Sequence, residues 1–288
     1  MIRLEAMAKI NLGLDVLRKR PDGYHDVRMI MQSIDLHDDL EMEEADEPGI
    51  HLTCNVEELP TDGSNLVCKA AALLMQEKGI EKGVKIHLTK RIPMAAGMAG
   101  GSTDAAATML GINQLFNLGL SRQDLMDRAV KIGADVPYCI MGGTALSEGI
   151  GEILSPLPAM PDCQILIAKP DIDVSTPFVY RNLKAAELTW HPDIDGMIDA
   201  LTMQSLEGIT ERLGNVLETV TIPAFPVINE IKETIKQAGA MGVLMSGSGP
   251  TVFGIFNNQE NAEKALQIME ESKLAGRVCL TRPVQNGR

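Results

Sequence analysis

The sequence predicts an α+β protein of two domains, and three observations point there. Strand-like and helix-like stretches interleave without a regular strand–helix repeat. The second half runs strand, helices, strand, strand, helix, strand, which is the order of a split βαβ, ferredoxin-like layer. Between the halves, "SPLPAMPDC" packs three prolines into nine residues and reads as a linker. With 288 residues the chain is long enough for two ordinary domains, expected at 1–155 and 156–288.

The elements follow in order. "IRLEAMAKINLGLDVL" alternates in part and reads as one or two strands. "RKRPDGYHDV" is a turn-rich loop around Pro-Asp-Gly, after which "VRMIMQSIDLHDDLEMEEA" and "IHLTC" return to strand character. "SNLVCKAAALLMQEKG" is a helix ending at Gly79, with Lys78 expected in its last turn. "VKIHLTKRIP" alternates cleanly, with Val84, Ile86 and Leu88 on one face and Lys85, His87 and Thr89 on the other. A second helix is expected from about Ser102 to Phe116. A third starts at Ser121, where Asp124 completes a capping box, and stops near Gly133. "GGTALSEGIGEIL" reads as a hairpin turning at 149–151. After the linker come the strand "QILIAKP", a helical middle, "IPAFPVINEIKETIKQAG" as one helix, the strands "GVLMS" and "TVFGIF" around "GSGP", the helix "QENAEKALQIMEES" and a last strand, "RVCLTRPV".

Composition narrows the function. Aromatics make up only 3% of the residues, so the core must be aliphatic, with 17 methionines to fill gaps. The net charge of −13 and the lack of a basic block argue against nucleic acid as partner. Five scattered cysteines with no CxxC pair make a disulfide framework or zinc site a poor reading and favour a reducing cytoplasm. No apolar run approaches the roughly 20 residues of a membrane span, and "MIRLEAMAKI" does not read as a signal peptide.

The stretch "PMAAGMAGGSTDAA", residues 93–106, sits between a strand and a helix start. Backbone N–H groups lack partners there, and the helix dipole turns its positive end outward. Gly97, Gly100 and Gly101 let those groups converge on a bulky anion. The same residues also suit a tight turn kept small for packing, so the loop alone leaves both readings open. It is no Walker A loop, since no lysine follows Gly101, and its G-x-x-G-G spacing is a poor dinucleotide fingerprint.

Pro93, Gly97, Gly100, Gly101, Ser102, Thr103, Asp104 and Ala105 resemble the glycine-rich motif of the GHMP kinases. "AKINLGLDVLRKRPDGYHDV" (8–27), "GADVPYCIMGGTALSEGIGE" (133–152) and "MSGSGPTVFGIF" (245–256) extend the likeness from Ala8 to about Phe256. Together the four blocks resemble those family members whose alcohol substrate carries a cytidine diphosphate. The likeness implies an N-terminal ATP-binding domain and a ferredoxin-like C-terminal domain. It implies transfer of phosphate from ATP, with Mg²⁺, to the 2-hydroxyl of a diphosphocytidyl methylerythritol, a step of non-mevalonate isoprenoid precursor synthesis. Another GHMP kinase, such as a homoserine kinase, is the alternative. Tyr138 and Cys139 stand where the family often has phenylalanine, and both still suit a packed wall.

Carried onto this sequence, the resemblance makes Lys9 and Asp135 catalytic: a carboxylate to accept the hydroxyl proton and an ammonium to lower its pKa and balance charge. Asn11, two residues on, shares a strand face with Lys9 and is expected on the substrate hydroxyls. Tyr24, His25 and Tyr180 match the cytidine site, with Asp135 also touching substrate. In "STPFVY", Thr176 is expected to cap a helix with Pro177 at its first position. Asn65 and Leu66 are expected beside the adenine. Pro93, Met94, Ala95, Ala96, Gly97, Met98, Ala99, Gly100, Gly101, Ser102 and Thr103 are expected around the phosphates. Ser102 is the first candidate ligand for Mg²⁺. The expected assembly is a monomer or weak homodimer.

Overall fold

The computed structural model describes residues 1–285. In chain order the elements are β1 (Ile2–Lys19), β2 (His25–Ala45), β3 (Ile50–Cys54), α1 (Leu66–Glu77), β4 (Gly83–Thr89), α2 (Gly100–Leu115), α3 (Arg122–Ala129), α4 (Val136–Met141), β5 (Thr144–Gly149), β6 (Ile153–Pro156) and β7 (Gln164–Lys169). They continue as α5 (Thr176–Asn182), one 3-10 turn (Ala185–Glu187), α6 (Ile194–Thr202), α7 (Leu206–Glu211), β8 (Gly214–Asn215), α8 (Glu218–Ala224), α9 (Val227–Gln237), β9 (Gly242–Met245), β10 (Val252–Phe256), α10 (Gln259–Ser272) and β11 (Arg277–Thr281). The α+β class is as the sequence predicts. Among the described residues no helix is long and apolar enough to cross a membrane.

By compactness the chain forms two interleaved units. One holds Met1–Ala8, Leu36–Met94 and Ala99–Met141; the other holds Lys9–Asp35, Ala95–Met98 and the chain from Gly142 onward. In the first unit, β4 pairs antiparallel with the end of β2, from Asp39↔Thr89 to Ala45↔Gly83, and β3 runs parallel along its other edge. The predicted two-face pattern of β4 holds: Val84, Ile86 and Leu88 are buried, while Lys85 and His87 are exposed. Leu74 of α1 and Met109 and Ile112 of α2 close the core over Leu40, Met42 and Ile86. Each such side chain stabilises by about 2 kcal/mol when fully buried. The alanine run brings α2 close to the sheet. A Cβ on Gly111 would stand 2.3 Å from the Met42 sulfur, so an alanine there would force the Met42 side chain to move.

In the second unit, β5 pairs antiparallel with β2 from Val27↔Gly149 to Gln32↔Thr144, β6 pairs with β5, and β8 lies parallel to β1 at Gly13↔Gly214 and Leu14↔Asn215. A separate antiparallel sheet has the order β11-β7-β10-β9. Numbered within the layer that is 4-1-3-2, the ferredoxin-like order the sequence pattern predicts. Ile228, Ile231 and Ile235 of α9 and Ala262, Ala265 and Met269 of α10 are buried at helical spacing.

Several boundaries differ from expectation for identifiable reasons. α2 begins at Gly100 rather than near Ser102, because Ala99 adopts left-handed backbone (φ 57) and starts the helix without a side-chain cap. Lys78 is the C-cap of α1 rather than part of its last turn. "IPAFPVINEIKETIKQAG" is split: α8 ends at Ala224, and Pro226, which cannot continue a helix, caps α9. Ser175, not Thr176, is the N-cap of α5, and the Thr176 hydroxyl instead meets the Ser248 hydroxyl at 2.8 Å. The six-residue α4 was not foreseen; it is too short to display a period. The capping box at Ser121 and Asp124 is present as predicted.

Candidate active site

β1 carries the first group of site residues. From Ala6 to Val16 nearly every position is buried, as in a strand covered on both faces. Buried among the apolar residues are Lys9 (5% exposed) and Asn11 (1%). Charged residues are rarely this buried unless paired, so the strand holds them for a reason. Lys9 Nζ donates to Asn11 Oδ1 at 2.7 Å and to the Gly97 carbonyl at 3.0 Å. Asn11 Nδ2 rests 3.4 Å from the Met29 sulfur. The strand spacing therefore puts Lys9 and Asn11 on one face, as the sequence predicts.

Gly97 is the meeting point of this group. Its carbonyl also accepts from Ser246 Oγ at 3.0 Å. Its backbone lies at φ +72, and a Cβ there would stand 2.2 Å from the Ser246 carbonyl. Across from it, a Cβ on Gly247 would lie 3.4 Å from both Lys9 Nζ and Asn11 Oδ1. Lys9 and Asn11, residues 95–98 of the glycine stretch and the 245–256 block thus converge within one compact unit.

In the other unit, Gly100, Gly101 and Ser102 form the first turn of α2. Gly101 is exposed, and a Cβ there would meet only Leu66 Cδ1, at 3.5 Å. Leu66 opens α1 behind Asn65, whose side-chain oxygen accepts from Val67 N at 2.9 Å and whose amide donates to the Pro60 carbonyl at 2.7 Å. Leu66 is therefore brought to the helix start, while Asn65 is held as the α1 cap. Thr103 is turned inward and donates to the Met7 carbonyl at 2.7 Å. Ala99, just ahead of that turn, sits at positive φ (57), and so does Ala95 (48) in the unit of Lys9; each conformation costs an alanine about 1–2 kcal/mol.

Lys90, Asp38 and Asp104 form a buried cluster that no sequence pattern marks. Lys90 Nζ donates to Asp104 Oδ2 at 2.7 Å and to Asp38, and Asp38 accepts from the backbone N–H groups of Arg91 and, at 2.8 Å, Ile92. Asp104 therefore faces Lys90, while its Oδ1 is buried without a partner. Burial, with Asp38 nearby, pushes the Asp104 carboxyl up to about 7 against the pull of Lys90. Burial alone would lower the Lys90 pKa, but the two carboxylates outweigh it and raise it. The run "KRIP" carries no signal, because Lys90 follows a strand whose one lysine, Lys85, is exposed.

Asp135 is half-buried and precedes α4, with its carbonyl accepting from Cys139 N at 3.1 Å. Tyr138 is fully buried and Cys139 half-buried, in keeping with a packed wall.

The aromatic residues gather in the second unit. The His25 and Tyr180 rings lie 5.1 Å apart, tilted by 40°. Tyr24 is 59% exposed and follows the Asp22–Gly23 turn, where Gly23 takes φ +91. His25 is 7% exposed and its Nε2 has no hydrogen-bond partner. Burial, then the Lys19 charge, hold its pKa below the usual imidazole value, so the ring is neutral at pH 7. A flat, half-open aromatic group with an orphaned ring nitrogen suits a heterocycle with a polar edge.

For Mg²⁺, no group of three or more His, Cys, Asp or Glu is gathered among the described residues. Mg²⁺ carried on nucleotide phosphates keeps most of its waters and needs few protein oxygens, so a hydroxyl such as Ser102 in the first turn of α2 fits it.

The fold and the glycine loop at a helix start agree with the GHMP kinase class that the sequence resembles. The model of the GHMP kinases N terminal domain matches residues 65–143, and that of the GHMP kinases C terminal domain matches 191–275. A 4-diphosphocytidyl-2-C-methyl-D-erythritol kinase from Lachnoclostridium phytofermentans is 52% identical over 282 residues, 98% of this chain and 97% of its own length. One from Clostridium perfringens is 44% identical over 285 residues, 99% of both. The crystal structure of a 4-(cytidine 5'-diphospho)-2C-methyl-D-erythritol kinase superposes with a TM-score of 0.85 at 32% identity over 100% of both chains. A homoserine kinase from Cytophaga hutchinsonii, 22% identical over 98% of this chain and 95% of its own, shares the fold with a TM-score of 0.76. The chain belongs to the 4-diphosphocytidyl-2-C-methyl-D-erythritol kinase family of the GHMP kinases.

Proposed function

We propose that this protein transfers the γ-phosphoryl group of ATP to the 2-hydroxyl of 4-diphosphocytidyl-2-C-methyl-D-erythritol, giving the 2-phosphate and ADP in the non-mevalonate route to isoprenoid precursors. The observation that carries this reading is identity of about half over nearly the whole chain with kinases of that name. In this reading the backbone of 93–103 receives the phosphates, replacing the lysine of a P-loop with N–H groups and a helix dipole. Asn65 and Leu66 border the adenine. Ser102 would offer its hydroxyl to Mg²⁺, which when bound would supply charge neutralisation for the phosphates.

Asp135 takes the proton of the 2-hydroxyl, and Lys9 lowers that hydroxyl's pKa and steadies charge in the transition state. Asn11 orients the hydroxyls beside Lys9. Tyr24 and Tyr180 supply the flat faces for cytosine, and its pairing edge satisfies His25 Nε2. Residues 1–155 act as the ATP-binding domain and 156–288 as the C-terminal domain. The protein works in the cytoplasm, in line with five free cysteines, as a monomer or weak homodimer.

The test is the identity of the product. Incubation with ATP, Mg²⁺ and the diphosphocytidyl substrate, followed by phosphorus NMR, gives a phosphomonoester coupled to the C2 position. Faster phosphorylation of homoserine, or a product phosphorylated elsewhere, would overturn the assignment.

A further inference from the structure

The residues that set the position of Lys9 do not end with its direct partners. Loop 246–250 rests on Lys9, Asn11 and the Gly97 carbonyl, and something must hold that loop. Asn215, the last residue of β8, is 3% exposed, and its amide is fully used. Nδ2 donates to the Met245 carbonyl at 2.9 Å and to the Gly247 carbonyl at 2.8 Å, and Oδ1 accepts from Leu217 N at 2.9 Å. Only this amide orientation matches donors to acceptors.

The segment after Asn215 adds to the grip. Glu218 Oε1 accepts from Met245 N at 2.9 Å and is itself paired with Lys232 at 2.6 Å. Thr221 Oγ1 lies 3.2 Å from the Ser248 carbonyl. β8 is two residues long and pairs with β1 at Leu14, a few positions beyond Lys9 and Asn11. Such a short strand adds little to the sheet, yet it ties the loop to the strand that carries the buried ammonium.

We propose that Asn215 is a positioning residue for the phosphoryl transfer: its amide fixes loop 246–250, and through Ser246 and Gly247 fixes the Gly97 carbonyl and the Lys9 ammonium. The inference rests on the reading that Lys9 serves the transfer. An Asp at 215 keeps the shape but turns two donated hydrogen bonds into contacts between oxygens, so the loop must shift. A shift of about 1 Å at a catalytic group costs far more in turnover than in binding.

The experiment compares wild type, Asn215→Asp and Thr221→Val by steady-state kinetics with ATP, Mg²⁺ and the diphosphocytidyl substrate, beside thermal melting. Turnover by the wild type is read first, and its absence would defeat the functional reading on which this inference rests. Given turnover, Asn215→Asp should melt as a cooperative fold and lose about tenfold or more in kcat, with both KM values within about twofold. Thr221→Val should lose about two- to fivefold in kcat in the same pattern, and it carries the test if the Asp variant does not fold. Unchanged kcat, or a loss confined to KM, in the folded variants would overturn the proposal.

Discussion

Two glycines of the same loop should respond to alanine in opposite ways. At Gly97 the backbone has φ +72, which costs an alanine about 1–2 kcal/mol. The new Cβ would also stand 2.2 Å from the Ser246 carbonyl and 3.1 Å from the Gly249 backbone, so the loop must retreat by about 1 Å to reach ordinary contact. That retreat breaks the bonds from Lys9 and Ser246 to the Gly97 carbonyl, worth together about 2–4 kcal/mol with one donor charged. The total is about 3–6 kcal/mol. At about 2–4 °C per kcal/mol for a chain of this size, Gly97→Ala should melt roughly 6–24 °C lower. At Gly101 the nearest atom to a new Cβ is Leu66 Cδ1, at 3.5 Å, and the position is helical. Gly101→Ala should therefore fold as well as wild type or gain up to about 1 kcal/mol. In the proposed function its methyl would meet the incoming phosphate, so KM for ATP should rise about tenfold or more, as a loss of about 1.4 kcal/mol of binding. Thermal melts and ATP titrations of both variants are the assay. A Gly97→Ala protein with the wild-type Tm, or a Gly101→Ala protein with unchanged ATP affinity, would refute the steric reasoning.

Other outcomes follow from the same structure. Tyr180→Ala should raise KM for the cytidine substrate far more than KM for ATP, and equal rises would refute its placement on the cytosine. His25→Phe, which keeps a ring and removes the orphaned nitrogen, should weaken the cytidine substrate by roughly tenfold while leaving ATP unaffected. Asp104 holds its proton more tightly in the fold, near pKa 7, than in the unfolded chain. Its contribution to stability is thus fully present below about pH 4 and is lost as pH rises through about 7, with a span of a few kcal/mol at most. Asp104→Asn should accordingly gain in Tm relative to wild type between pH 5 and pH 8, and a pH-independent difference in melting curves would count against this.

Much of the architecture was legible because it rests on local periods. The alternation in β4, the capping box of α3 and the order of the second-half elements each depend on residues close in sequence. What stayed hidden depends on distant chain segments. β8 is two residues long and exists only because β1 lies beside it. Lys90 reads like the exposed Lys85 of the strand before it, and only the fold brings Asp38 and Asp104 against it. The candidate site divides in the same way. Gly97, Lys9 and His25 were named from motif likeness, and Lys9 with Asn11 also from strand spacing. Asn215 shows only through its hydrogen bonds, since a lone buried asparagine in "LGNVLE" has no distinguishing pattern.

The most direct test of the account is ADP release from ATP and Mg²⁺ with the diphosphocytidyl substrate, measured for wild type and Asp135→Asn at equal ATP occupancy. The account predicts ADP formation that depends on the substrate and falls by a factor of about 100 or more in the variant, the scale of losing a general base. Substrate-dependent ADP that persists in Asp135→Asn would contradict the assignment of the base, and ADP formation indifferent to the substrate would contradict the function itself.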